Sequence, residues 1–130
     1  MSWAAPIDRK KKPTLQDTFV PNVSAGLTEM GFAFVERMEE LGMIVDVSHL
    51  SDAGFWDVAR RAKRPFVASH SNARQICPCV RNLTDEMIRA LAEKGGVTGL
   101  NFYADFLTKA QENTPNPGTV EAVVRHAKHI

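Results

Sequence analysis

Two short apolar runs, Met43-Ile44-Val45-Asp46-Val47 and Phe66-Val67-Ala68, each end in Ser-His, and the second histidine follows the first by 21 residues. Between them Ser51 and Asp52 offer helix caps, Phe55, Val58, Ala59 and Ala62 recur on one helical face, and Pro65 stops the pattern. A third apolar run, Val97-Thr98-Gly99-Leu100-Asn101-Phe102, follows another helical segment. Strands that alternate with helices demand a parallel sheet built from right-handed crossovers, with strands covered on both faces. A section of a (β/α)-barrel and an open doubly wound sheet both satisfy that alternation. A flavodoxin-like form would call for an anion or nucleotide site at a helix N-terminus, and no Gly-rich phosphate loop supports one.

The remaining punctuation is consistent with this order. Thr28 can cap a helix with Met30, Phe34, Met38 and Leu41 inward and Gly42 at its end. Asn82 or Thr84 can cap a helix with Ile88, Leu91 and Ala92 inward, closed by Gly95-Gly96. Residues 71–81 and 104–118 read as loops, and Thr119 opens a last helix with Val120, Val123, Val124 and Ala127 on one face. The organisation is a loop-rich segment over residues 1–25 and a domain over 26–130.

With 44% hydrophobic and 24% charged residues, the chain is globular, and its net charge of +1 gives no pull toward nucleic acid. The run Arg9-Lys10-Lys11-Lys12, flanked by Pro6 and Pro13, reads as an exposed loop. No segment approaches the roughly 20 apolar residues of a membrane span. No signal-peptide pattern opens the chain, which favours a cytoplasmic protein while leaving the compartment open. Cys77 and Cys79 are too close in sequence for a disulfide and read as thiols.

The chemistry concentrates at the strand ends. Functional groups of parallel α/β folds gather where strands finish. Neighbouring strands lie about 4.8 Å apart, so His49 and His70 can reach one ion with zinc–nitrogen bonds of about 2.0–2.1 Å. The alternative is a pair of hydrogen-bonding residues at the sheet boundary. Asp46 reads as a supporting carboxylate, Asp52 and Asp57 as cap and helix surface, and His126 and His129 as surface or packing residues. Arg81 and Arg74 compete for the role of a clamp on a substrate carboxylate.

"GLTEMGFAFVERMEELGMIVDVSHLSDAGFWDV", "ASHSNARQICPCVRNLTDEMI" and "GGVTGLNFY", in that order, resemble the membrane (renal) dipeptidase family of zinc peptidases, with a weaker echo in "TVEAVVRHAKHI". The resemblance implies a partial (β/α)8 TIM barrel of the metal-dependent hydrolase type, here with about three parallel strands and flanking helices. It implies dipeptide hydrolysis by a metal-bound hydroxide at a site of two Zn2+ ions. By the same resemblance His49 and His70 hold one zinc, Arg81 and not Arg74 binds the substrate carboxylate, and Tyr103 lines the site. The family's His-X-Asp ligands, a bridging Glu, a substrate-side His and an acid–base Asp in an "SDFDG"-like motif are not found in these 130 residues. At most a half-site is therefore expected, inactive alone, in a chain that self-associates through unpaired sheet edges. The alternative is a degenerate, metal-free barrel segment with a binding role.

Overall fold

The computed structural model describes residues 25–109 and 118–130. The basic run at Arg9–Lys12 and almost all of the expected N-terminal loop lie outside them, as does the Asn/Pro stretch at 113–117.

Five helices and a small parallel sheet follow the expected alternation. α1 spans Glu29–Glu40, α2 Asp52–Arg61, β1 Val67–Ala68, α3 Asp85–Glu93, β2 Val97–Thr98, α4 Ala104–Leu107 and α5 Val120–His129. β1 and β2 pair in parallel with Val67 opposite Val97 and Ala68 opposite Thr98. The strand expected at 43–47 contracts to a parallel bridge between Asp46 and Val67. Its ladder bonds are nonetheless regular: Val67 N–H donates to Val45 O at 2.9 Å and Val47 N–H to Val67 O at 2.8 Å. Three chain segments thus run side by side in one direction, and their ends lie on one rim.

The helix starts follow the capping residues. Thr28, Ser51, Thr84 and Thr119 each accept a backbone N–H from three residues on, at 3.1, 3.0, 3.3 and 3.2 Å. Thr84, not Asn82, is the cap of α3. α1 and α3 end alike. Gly42 and Gly95 adopt φ of 74° and 72°. Gly42 N–H bonds Glu39 O and Met43 N–H bonds Met38 O; Gly95 N–H bonds Ala92 O and Gly96 N–H bonds Leu91 O. This paired closure requires a left-handed residue, where glycine avoids the Cβ clash.

Which faces the helices bury differs from expectation in three of them. α2 buries Phe55, Val58 and Ala59 as read. α1 instead buries Gly31, Val35 and Glu39, while Met30 is 71% and Phe34 54% exposed. α3 buries Met87 with Leu91 and leaves Ala92 exposed. α5 buries Ala122 and His126, and its Val120 and Val124 face outward. In α1 and α5 the buried face is not the apolar stripe but one that brings a polar side chain, Glu39 or His126, onto the backbone of a neighbouring segment. Residues 104–107, read as loop, form the short α4.

The core joins Val35 of α1, Val45 and Val47, Phe55 and Val58 of α2, Phe66, Ala68, and Met87 and Leu91 of α3. Phe66 is fully buried and meets Phe55 edge-to-face at 5.7 Å. The Cys77 thiol is buried, and burial pushes its pKa up.

Candidate metal and carboxylate site

The rim is assembled by the parallel ladder. Asp46 is the bridge residue beside Val67, so the Ser48-His49 turn and the Ser69-His70 turn emerge next to each other. His49 Nε2 lies 2.8 Å from His70 Nε2, with ring centroids 4.8 Å apart. The two strand-end histidines are brought together.

Asp46 organises both turns. Its Oδ1 accepts Ser48 N–H at 3.0 Å, Ser48 Oγ–H at 2.8 Å and Ser69 N–H at 3.1 Å. Its Oδ2 accepts the Ser69 hydroxyl. Burial alone would raise the Asp46 pKa, but the Ser69 hydroxyl, the two backbone N–H groups and the Ser48 hydroxyl together hold it below its ordinary value. The ionised carboxylate takes the Ser69 proton, so Ser69 Oγ accepts from His70 Nδ1–H at 2.7 Å. His70 Nε2 is then left with its lone pair toward His49. Ser48 Oγ in turn accepts His70 N–H at 3.0 Å. A histidine whose far nitrogen is held by a carboxylate-anchored group is the usual arrangement behind a metal ligand.

Arg81 closes one side. Its Nε and one terminal nitrogen donate to Ser48 O at 3.2 and 2.9 Å, beside His49. Its guanidinium lies 5.4 Å from the Phe106 ring centroid. Burial lowers the Arg81 pKa from its ordinary value. Burial, then the Arg81 charge, then His70 lower the His49 pKa, with Asp46 opposing them. The lowered His49 pKa favours a neutral imidazole, the form that donates a lone pair to a metal.

Tyr103 stands on the same side. Its ring packs edge-on against Phe106 at 5.0 Å, and its N–H donates to Asn101 Oδ1 at 2.8 Å. Arg74 is placed differently. It forms a two-pronged ion pair with Asp52 at 2.7 Å on each arm and also donates to Asn82 O and Val80 O. Its donors are spent on the start of α2 and on carbonyls of its own loop and of Asn82.

The donor set suits a metal in kind. Two imidazoles at one rim, one of them backed by Asp46 through Ser69, are nitrogen donors of the sort zinc takes. Tetrahedral zinc would hold two such nitrogens about 3.3 Å apart, so the rings need to open by a few tenths of an ångström. No group of three or more His, Cys, Asp or Glu side chains among the described residues could hold an ion. The described residues thus supply two donors.

Several participants escape the motif reading. Ser69 and Ser48 are visible as the repeated Ser-His, yet their link to Asp46 depends on register. Phe106 carries no sequence signal. His126 is fully buried, and His129, read as lacking a carboxylate beside it, lies 2.8 Å from Asp85.

A family model described as membrane dipeptidase, peptidase family M19, matches residues 2–130. The chain belongs to the membrane dipeptidase family. An uncharacterized protein in the pqqA 5′ region of Klebsiella pneumoniae is 40% identical over 110 residues, covering 85% of this chain and 40% of that protein. An uncharacterized dipeptidase of Schizosaccharomyces pombe is 34% identical over 105 residues, covering 81% of this chain and 24% of that one. The crystal structure of a metallo peptidase from Rhodobacter sphaeroides, liganded with a phosphinate mimic of the dipeptide L-Ala-D-Ala, superposes with a TM-score of 0.71 at 40% identity. It covers 80% of this chain and 29% of that chain. This member of the dipeptidase family therefore spans well under half the length of these relatives. No helix among its described residues is long and apolar enough to cross a membrane.

Proposed function

We propose that this chain carries the two-histidine half of a zinc dipeptidase site, on a section of a (β/α)8 barrel. The observation that carries the reading is the His49–His70 pair at adjacent strand ends, with Asp46 and Ser69 behind His70 and Arg81 beside it. His49 and His70 would hold the ion, and zinc there would supply Lewis-acid and water-activating chemistry for peptide hydrolysis. Asp46 and Ser69 fix the His70 ring. Arg81 orients the substrate's terminal carboxylate, and Tyr103 lines that end of the site. The substrate class is the dipeptide, including L-Ala-D-Ala. Two donors do not make a catalytic zinc site, and the chain alone is inactive.

The test is binding without turnover. In the presence of zinc, the phosphinate mimic of L-Ala-D-Ala should bind the chain, and Arg81→Ala should weaken it about 10- to 100-fold, the range for a lost charge-assisted contact. L-Ala-D-Ala itself should not be hydrolysed. Hydrolysis that a chelator abolishes would remove the half-site reading, and an unchanged affinity in Arg81→Ala would remove the carboxylate role.

Self-association is proposed from the same architecture. Among the described residues each outer strand segment pairs on one side only. Met43, Ile44 and Val97 remain exposed beside those edges. Sedimentation should show mass rising with concentration. A sharply melting monomer at all concentrations would count against it.

A further inference from the structure

Behind the rim, three side chains outside the His49–His70–Arg81 group tie two segments together. Asn72 is fully buried; its Nδ2 donates to Asn101 O at 2.9 Å and Phe106 O at 3.1 Å, and its Oδ1 accepts Asn101 N–H at 2.9 Å. Asn82 Nδ2 donates to Cys77 O and to Phe106 O, both at 2.9 Å. His126 comes from α5, far along the chain. Its Nδ1 accepts Ala73 N–H at 3.1 Å and its Nε2 lies 3.0 Å from Leu107 O. One acceptor and one donor are required there, which the Nε2-protonated tautomer supplies.

These contacts have a direction. Ala73 lies in the loop whose other end carries Arg81, and that loop is closed by the Ala73–Leu83 bridge. Leu107 follows Phe106, the ring under the Arg81 guanidinium. His126 thus joins Asn72 and Asn82 in linking the loop bearing the cation to the helix bearing its aromatic platform, and of the three it alone reaches in from α5. It is wholly enclosed, and Ala73 and Leu107 beside it are buried as well. Its two bonds are of ordinary length and leave opposite nitrogens of one rigid ring, so the ring fixes the spacing of the two backbones.

We infer that His126 is a positioning residue, which pins the Arg81 loop to α4 so that the guanidinium is held over Phe106 and beside His49. Its meaning for substrate rests on the reading of Arg81 as the carboxylate-binding group. The position of Arg81 does not.

Three variants of the full chain separate the two bonds. His126→Asn keeps an acceptor near Nδ1 for Ala73 but does not reach Leu107. His126→Gln keeps a donor near Nε2 for Leu107 but offers Ala73 nothing at the Nδ1 position. His126→Ala loses both. The readout is the upfield ring-current displacement of the Arg81 side-chain protons by Phe106, measured by NMR beside the core methyl signals of Val58 and Leu91. The expected result is unchanged core signals with the Arg81 displacement reduced in Asn and Gln and reduced furthest in Ala, where the Asn72 and Asn82 bonds to Phe106 O remain. A folded His126→Ala chain with the Arg81 displacement intact overturns the inference. Collapse of all three variants also overturns it, because His126 would then serve general packing. Binding of the phosphinate L-Ala-D-Ala mimic is read in parallel. If Arg81 moves in the variants but mimic affinity does not change, the clamp stands and the carboxylate role of Arg81 fails. If both change together, both stand.

Discussion

Replacing either His49 or His70 with alanine is expected to lower the chain's affinity for zinc by at least about 100-fold. The reasoning begins with donor count. Two imidazole nitrogens lie 2.8 Å apart on one rim, and the described residues add no third donor. Removing one leaves a single histidine, which binds zinc no better than a surface histidine does. The supporting groups should matter less, but measurably. Ser69→Ala cuts the link from Asp46 to His70 Nδ1. Loss of such an outer contact costs about 10- to 100-fold in metal affinity. The order of effect is therefore the histidines first, then Ser69 and Asp46, with Arg74→Ala near wild type because its guanidinium is turned toward Asp52. Competition titration with a chromogenic chelator gives all of these affinities. Equal zinc binding by wild type and both histidine variants would mean that the ring pair is only a hydrogen bond at the sheet boundary.

The part of this arrangement legible in sequence was the part fixed by local rules. Caps at Thr28, Ser51, Thr84 and Thr119 and the glycine closures at Gly42 and Gly95 depend on residues within one turn, and they fall where local chemistry puts them. The alternation of helices with parallel segments follows equally from short patterns. Side selection is another matter. α1 has an apolar stripe through Met30 and Phe34, yet it turns Val35 and Glu39 inward. Glu39 Oε1 accepts the N–H groups of Lys63 and Arg64, both at 2.9 Å, and so satisfies the chain where it leaves α2. A buried carboxylate with that role is invisible to periodicity, because its partners are more than 20 residues away. The site divides in the same way. His49 and His70 stand out because Ser-His recurs at strand ends. Asp46, Ser69 and His126 depend on which backbone groups come into reach, and that is set by register and packing.

Gly99→Ala should be among the most damaging small substitutions in the chain, and its effect should reach the proposed metal site. Gly99 lies just past β2, with its N–H bonded to Ala68 O and its carbonyl accepting Ser71 N–H, both at 2.8 Å. A Cβ placed on it would lie 2.1 Å from Ser69 O and 3.0 Å from the Ser69 carbonyl carbon. The obstacle is backbone in a hydrogen-bonded ladder, so no side-chain rotation relieves it. Gly99 is half-buried, and overpacking costs about 1–3 kcal/mol in a packed core; the rigid backbone neighbour puts this case within that range. Against a typical total of about 5–15 kcal/mol, that is a large share. The displaced residue is Ser69, whose hydroxyl holds His70. Zinc affinity should therefore fall with stability, by about the 10- to 100-fold expected for losing the Ser69 contact. Gly42→Ala is the matched control. Its Cβ would meet nothing within 4 Å, and only the φ of 74° resists it, at roughly 1–2 kcal/mol for a side chain in the left-handed region. Its zinc affinity should equal wild type. Denaturant midpoints and zinc titrations of the two variants side by side decide the matter. If Gly99→Ala is no less stable than Gly42→Ala and binds zinc as wild type does, β2 does not press on Ser69 as described, and the support for His70 must come from elsewhere.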